Sequence, residues 1–565
     1  MGPPGGLLLS SGLLLQLLVL SPLRETAACT ILAAGRKATA DGSVLVSHSD
    51  DGENVQDARL CQIPAADHPA SAKRPIYFDM EDYPRFVGEG RGPCYVPKAG
   101  ETPYKAIGSI PEVAHTFSYY ESTYGALNEH GVGIGESTCS GVFGANDTSH
   151  GGKALLSVDS LTKIAMERST SARGAVELMG SLAEEHGFYG VGSFEGTAES
   201  LFVGDAVEAW IFHILPDPTG ATAIWAAQRV PDDHVTVVAN MFVIRNIDFD
   251  DSQNFMFSST VRDVAQAKGW WRPGQPLDFT AVYSDGEYAH KFYSGRRIWR
   301  AFEKMGVSGL PSDYKDLRYD AAYPVTAKPA VGGLTPTDFF GVHRDYYEGT
   351  KFDMTKGLAA GPWGDPDRWT TQMEATGSWE RSIGLFRTTS THVVQSRADH
   401  DSVLWFAPHA MAASCFIPLS SRGTAVPEAY QVADPKVLSR KSAYWAHRYS
   451  FNMAKMKYSY AMNDVRALQA KMEGAGAAVV QRLDAMNGNT TASEVNAIID
   501  AHAQKVVQAF WELPDTLMEK YSDGWLQDGA DPGYPTWWLS AVDYKDGPPP
   551  PPPQPPVTDI GISLV

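Results

Sequence analysis

Cys29 stands directly behind a stretch that reads as a secretory leader, and one cut between Ala28 and Cys29 would give a single residue both a thiol and a free α-amine. A chain that uses such a residue has to fold so that its own new N-terminus lies inside a site. The leader runs from Met1 to Ala28: an apolar stretch from Leu7 to Leu20, the breaker Pro22, opposite charges at Arg24 and Glu25, then Thr26-Ala27-Ala28. The small residues that end it suit a signal peptidase. Its apolar run is too short and too interrupted by Ser, Gly and Gln for a membrane span, and a bacterial lipobox wants Leu where Thr26 stands. The plain alternative is a leader cut elsewhere, with Cys29 as the first structural cysteine.

With the leader set aside, roughly 540 residues remain, enough for one large domain and a smaller one. The net charge of −19 argues against nucleic acid or an anionic membrane as the main partner, and no later stretch reaches the apolar length of a transmembrane helix. Composition leaves homo-oligomerisation open. Five cysteines in a secreted chain leave one over, and Cys29 is the natural remainder. Cys61, Cys94, Cys139 and Cys415 could then form two disulfides, with Cys61–Cys94, close in sequence, the first expectation. Asn146-Asp147-Thr148 and Asn489-Thr490-Thr491 are N-glycosylation acceptors in a eukaryotic host, which would place Asn146 and Asn489 on the surface.

From Cys29 to about Asp250 the chain reads as strands with interspersed helices. Val44-Leu45-Val46 is the first strand core, putting Ser47 to Asp51 at its end. A hairpin follows, with 124–127 and 132–134 flanking a turn in which Gly131 takes the positive φ, so that 135–138 lie at a strand's end. Apolar spacing predicts two short helices between Leu155 and Glu185. Residues 209–215 and 221–227 pair across Asp217-Pro218-Thr219-Gly220, and His234 to Ile244 reads as a further strand. The Gly-, Pro- and Trp-rich segment 329–381 predicts long ordered loops, and strands return between Ser382 and Ile417. Beyond about Asp434 a helical hairpin is expected, its second helix capped by Thr491 with Glu494 and stopped by Pro514. The organisation expected is a leader at 1–28, a catalytic domain at 29–430, a helical region at 431–545 and a polyproline tail at 546–565.

A cut before Cys29 would make one residue supply both nucleophile and base. Its α-amine, with an ordinary pKa of roughly 7.7–8.0, is partly neutral near pH 7 and can take the thiol proton. Attack on an amide carbonyl then needs oxyanion donors, and a carboxylate near the amine to hold it.

Several blocks, in order, resemble a known family. Cys29-Thr30-Ile31-Leu32, Gly35-Arg36-Lys37-Ala38, Asp41-Gly42-Ser43 and His48-Ser49-Asp50-Asp51 look like the mature start of the dipeptidase family of cysteine N-terminal-nucleophile hydrolases, which includes the secernins. Asn128 to Ile134, Trp225 to Asp233, Val238-Ala239-Asn240, Ile244 to Asp248, Arg381-Ser382-Ile383 and Thr391 to Gln395 resemble its later blocks. The resemblance spans roughly 29–420. It implies an α+β fold of the αββα sandwich kind and hydrolysis of dipeptides or similar small amides without a cofactor. It also implies roles: Cys29 as nucleophile and base, Asp51 as the carboxylate that orients the amine, Asn240 in the oxyanion or amine-binding position, and Arg297 as a distal arginine. Two positions depart from the related choloylglycine hydrolase and penicillin acylase pattern. His48 replaces an arginine that would face substrate, and Glu136-Ser137-Thr138 replaces a second oxyanion asparagine, leaving Ser137, the Thr138 hydroxyl or a backbone N–H for that task.

No catalytic metal is expected, because His392, His400 and His409 lack zinc spacing, and Gly135-Glu136-Ser137-Thr138-Cys139 misses the serine-hydrolase elbow at its last position. The expectation is a secreted or lumenal cysteine-type dipeptidase, placed in the secretory or lysosomal pathway. The alternatives are a non-peptide N-acyl amide hydrolase of the same fold, which needs an apolar slot, and a non-catalytic secreted glycoprotein, which predicts an oxidised Cys29.

Overall fold

The computed structural model describes residues 29–52, 55–78, 81–85, 92–97, 100–190, 197–287, 292–368, 379–486, 490–530 and 533–543. The expected leader, the proline tail and the acceptor Asn489 lie outside them.

Strand periodicity builds the layers. In Thr30–Ala34, Ile31 and Ala33 point into one apolar cluster while Leu32 and Ala34 point into another; in Val44–Asp50, Val44 and Val46 join the first and Leu45 the second. Such two-sided burial is what a central strand covered on both faces requires. The two strands belong to a six-stranded antiparallel sheet ordered Val235–Val238, Thr30–Ala34, Val44–Asp50, Ser390–Ser396, Val403–Pro408, Ile417–Ser420. An eight-stranded antiparallel sheet runs from Phe255–Phe257 through Ala223–Val230, Ala209–Pro216, Ala198–Gly204, Gly133–Cys139, Gly125–Asn128 and Tyr119–Glu121 to Cys61–Ile63. It alternates likewise, with Phe202 and Ile211 facing the six-stranded sheet and Leu201, Val203, Trp210 and Phe212 facing outward. Helices Val158–Arg168 and Ala172–His186, each started by a serine N-cap, cover that outward face. Helices Gly295–Lys304 and Pro336–His343 cover the outer face of the other sheet. The layers are thus helix, sheet, sheet, helix, a mixed α+β architecture. At Gly135 the sheets come so close that an added Cβ would lie 2.4 Å from the Ser47 carbonyl oxygen, so only glycine fits.

Most expected elements are present, the Gly131 hairpin with φ of 79° and the Thr491–Glu494 capping box included. Four expectations need correction. The strand expected through Ile244 ends at Val238, because Asn240 adopts a left-handed φ of 55° and breaks the ladder. The segment expected as loops contains the helix Pro336–His343, started by Pro336 and a Thr335–Asp338 capping box. The C-terminal region has three main helices, Ala443–Ala454, Tyr458–Ala485 and Ala492–Tyr521, instead of a hairpin. The last of them passes through Pro514. Proline removes the N–H that would satisfy the carbonyl four residues back, here Phe510, and the Ser450 hydroxyl donates to that carbonyl at 2.6 Å instead. These helices share one apolar cluster with the strands Val403–Pro408 and Ile417–Ser420. Among the described residues no helix is long and apolar enough to cross a membrane.

Cys61 and Cys94 form a disulfide, and Asn146 is exposed. A second disulfide does not form. Cys139 is buried between the sheets and Cys415 under the C-terminal helices, so Cys29 is one of three free thiols and not the only one.

The Ser450 bond carries a prediction: Ser450→Ala leaves the buried Phe510 carbonyl unpaired and costs about 1–3 kcal/mol, seen as a lowered Tm and urea midpoint. Unchanged melting would show that the helix tolerates Pro514 unaided.

Candidate active site

Cys29 precedes the strand Thr30–Ala34 and is 2% exposed. Arg297, on the helix Gly295–Lys304, fixes it. Its Nη1 donates to the Cys29 carbonyl at 2.7 Å and to Thr30 Oγ1 at 2.9 Å, its Nη2 to Asn240 Oδ1 at 2.7 Å and to the Ala239 carbonyl at 3.3 Å, and its Nε to the Tyr293 carbonyl at 2.8 Å. Every donor of the guanidinium fork is thereby used. Its acceptors are uncharged and no solvent reaches it, so burial, with Arg381 nearby, lowers its pKa to about 10. Asn240 is held on its other side, where Nδ2 donates to the Thr138 carbonyl at 2.7 Å and the backbone N–H donates to Ser137 Oγ at 3.0 Å. Ser137 Oγ in turn donates to the Cys29 carbonyl at 3.4 Å. A non-glycine residue at positive φ, pinned through backbone and side chain, is the sort of strained position that a site retains.

Carboxylates crowd the thiol. Burial pushes the Cys29 pKa well above its ordinary value, and Glu136, Asp50 and Asp51 push it further, while the Asp51 backbone N–H opposes them. Asp51 is paired: Arg381 Nη2 lies 2.5 Å from its Oδ2, and the Thr388 hydroxyl donates to its Oδ1. Burial works against the Arg381 charge, and Asp51 together with Tyr293 more than restores it. Asp50 accepts from Thr123 Oγ1 at 2.8 Å and Gln56 Nε2 at 2.9 Å, yet burial still raises its pKa to about 6. Glu136 is raised to about 7 by burial, despite favourable hydrogen bonding from Glu199, Cys29 and Thr138. His48 Nε2 lies 3.5 Å from Glu136 Oε2. Burial, with His392 and His343 close by, drives the His48 pKa well below its ordinary value, so the imidazole is neutral.

The structure therefore gathers Cys29, His48, Asp51, Ser137, Thr138, Asn240 and Arg297 into one region. Their detail differs from the implied roles. The Thr138 hydroxyl is committed to Glu136 Oε1 at 3.0 Å, and the Asn240 amide is committed to Arg297 and Thr138. His48 faces a carboxylate inside the protein where a substrate contact was expected. Sequence reasoning did not single out Arg381, Asp50, Glu136 or Glu199 as site residues. Arg381 lies 330 positions from Asp51 in the chain, and only its place in a recognised block hinted at a role. Cys29, His48 and Asp50 also bring one ligand atom each within 4.8 Å of one another, a grouping that can hold a metal ion.

A buried thiol among carboxylates, at the start of a strand, fits a hydrolase, and comparison with known proteins places the chain among the peptidases. It belongs to peptidase family C69, whose family model matches residues 102–471. Asn240 and Arg297 lie inside the matched segment; Cys29, His48 and Asp51 precede it. Curated relatives extend further. A probable dipeptidase of Latilactobacillus sakei is 24% identical over 448 residues, covering 75% of this chain and 80% of the relative. Dipeptidase A of Lactobacillus helveticus is 24% identical over 447 residues, covering 76% and 82%. A probable dipeptidase of Salmonella dublin is 25% identical over 383 residues, covering 66% and 74%.

A carboxyl whose pKa is higher folded than unfolded keeps its proton longer in the folded state. Its stabilising contribution is complete below the unfolded pKa and is lost as pH rises through the folded one. For Glu136 that window runs from its ordinary value of 4.5 to about 7. Glu136→Gln cannot ionise and escapes the loss, so the variant gains on the wild type by about 2–3 kcal/mol between pH 5 and pH 8. Thermal melts of both proteins at the two pH values check this, and a gap that fails to widen counts against a raised Glu136 pKa.

Proposed function

We propose that the chain is a cysteine-type dipeptidase of the N-terminal-nucleophile kind, in which a cut before Cys29 exposes the α-amine that serves as general base. The observation that carries this reading is the clamped position of Cys29. It is free, directly precedes the strand Thr30–Ala34, and has its carbonyl held by Arg297 and Ser137, so the groups bonded to its Cα have fixed positions. The helix–sheet–sheet–helix layering supports the αββα fold implied by the sequence blocks. The dipeptidase names of the relatives support the substrate class.

In the proposed reaction the neutral α-amine takes the thiol proton and the thiolate attacks the peptide carbonyl. The tetrahedral intermediate collapses as the leaving amine takes a proton from the α-ammonium, leaving a thioester on Cys29. Water, giving its proton to the same amine, then hydrolyses the thioester and frees the thiol. Asp51, anchored by Arg381 and Thr388, holds the ammonium form during these transfers. Preference for a dipeptide over an N-acyl amide rests on the surroundings of the thiol. Asp50 and Glu136 are buried and act on it, and such carboxyls suit the ammonium of a small peptide, whereas an acyl chain needs an apolar wall. The disulfide Cys61–Cys94 supports passage through an oxidising compartment, in keeping with secretion or a lumenal location.

N-terminal sequencing of protein recovered from a secreting host is expected to begin at Cys29, and Cys29→Ala is expected to cut dipeptide turnover by at least about 10³-fold with the melting curve preserved. A mature chain that starts elsewhere, or turnover retained by Cys29→Ala, overturns the reading.

A further inference from the structure

Cys29, His48 and Asp50 are not only neighbours of a reaction. They are a thiol, a neutral imidazole and a carboxylate, all buried, with ligand atoms within 4.8 Å of one another. A tetrahedral zinc ion with bonds of about 2.0–2.3 Å sets its ligand atoms about 3.5 Å apart, so closure by about 1 Å brings the three onto one ion. Two further observations point to a ligand here. His48 Nε2 is buried and makes no hydrogen bond, with Glu136 Oε2 standing off at 3.5 Å. Asp50 is already oriented as a ligand carboxylate should be, with Thr123 Oγ1 and Gln56 Nε2 each donating to one of its oxygens.

We propose that this cluster is an inhibitory binding site for a thiophilic divalent cation, with Zn²⁺ as the fitting ion, and that occupancy ties up Cys29 as a zinc thiolate. Three donors come from the chain as it stands. The fourth rests on the proposed cut before Cys29: an α-amine and a thiol on one residue close a five-membered chelate ring, completing an S,N,N,O set. Binding displaces the thiol proton to solvent as the Zn–S bond forms. The thiolate and the Asp50 carboxylate together balance the two charges of the ion, so the occupied cluster is neutral in a site without solvent. Chemically the bound state withdraws both groups the reaction needs, the sulfur and its base, and a chelator restores them.

The test uses the mature chain starting at Cys29, with Co²⁺ and Zn²⁺ as probes. Co²⁺ is expected to give a thiolate-to-metal charge-transfer band in the wild type and none in Cys29→Ser. Zn²⁺ is expected to displace the cobalt, to slow alkylation of Cys29 and to suppress dipeptide turnover reversibly. Thr123→Val, which loses one bond to Asp50, is expected to weaken Zn²⁺ binding about 10–100-fold while folding normally. A chain that keeps residues before Cys29 is expected to bind Zn²⁺ more weakly than the mature one. No band, or Cys29 alkylation at an unchanged rate under excess Zn²⁺, overturns the proposal even if the enzyme is active. A band that survives in Cys29→Ser overturns it too, by placing the metal elsewhere. A band in a protein without dipeptidase activity would leave the metal site standing and refute the catalytic reading alone.

Discussion

One guanidinium cut off from solvent holds the start of the strand that carries the thiol. Arg297 spends its donors on Cys29, Thr30, Ala239, Asn240 and Tyr293, joining the first strand, the turn after Val238 and the helix Gly295–Lys304 at a single point. Losing Arg297 would strip a donor from each of those buried acceptors, although the Cys29 carbonyl would keep the Ser137 hydroxyl at 3.4 Å, and a buried acceptor left unpaired costs about 1–3 kcal/mol. The arrangement needs no carboxylate against Arg297. That leaves Asp51 to Arg381 and keeps the acid groups near the sulfur from being neutralised by the residue that positions it.

The cost of collecting acids is visible around the thiol. Asp50 and Glu136 hold their protons toward neutrality because burial disfavours their charged forms, and His48 stays uncharged for the same reason. A substrate ammonium or a metal cation entering this region meets groups ready to ionise in response. On the proposed reading, these acids would favour positive charge through what they can become, as well as through what they are.

Some of this could be read from the chain alone. Alternation in Val44 to Val46, the glycine turn at Gly131 and the capping box at Thr491 are local signals, and local geometry followed them. The pair Cys61–Cys94 was likewise close enough in sequence to propose. What failed depended on distant partners. Asn240 ends its strand because Arg297, Thr138 and Ser137 reward the left-handed turn, and nothing in the run His234 to Ile244 shows those partners. Pro514 looked like a stop because Ser450 is 64 positions away from it. Arg381 reaches Asp51 across 330 positions of the chain, and Glu136 departs from the family pattern without the sequence showing which groups surround it. Cys139 and Cys415 remained apart because they lie in different apolar clusters, a fact of layering that no cysteine count contains.

The hydroxyl of Ser450 beneath Pro514 also works as a register key. Two long helices packed by apolar side chains can slide past one another by a turn at modest cost, since one apolar residue replaces another. The Phe510 carbonyl has no such substitute. Only one alignment of Ala443–Ala454 against Ala492–Tyr521 sets a hydroxyl opposite the carbonyl that the proline strips of its donor. The imide that looks like a flaw in the helix thus fixes how far along its neighbour it sits, and with it the position of the helical layer on the edge of the six-stranded sheet.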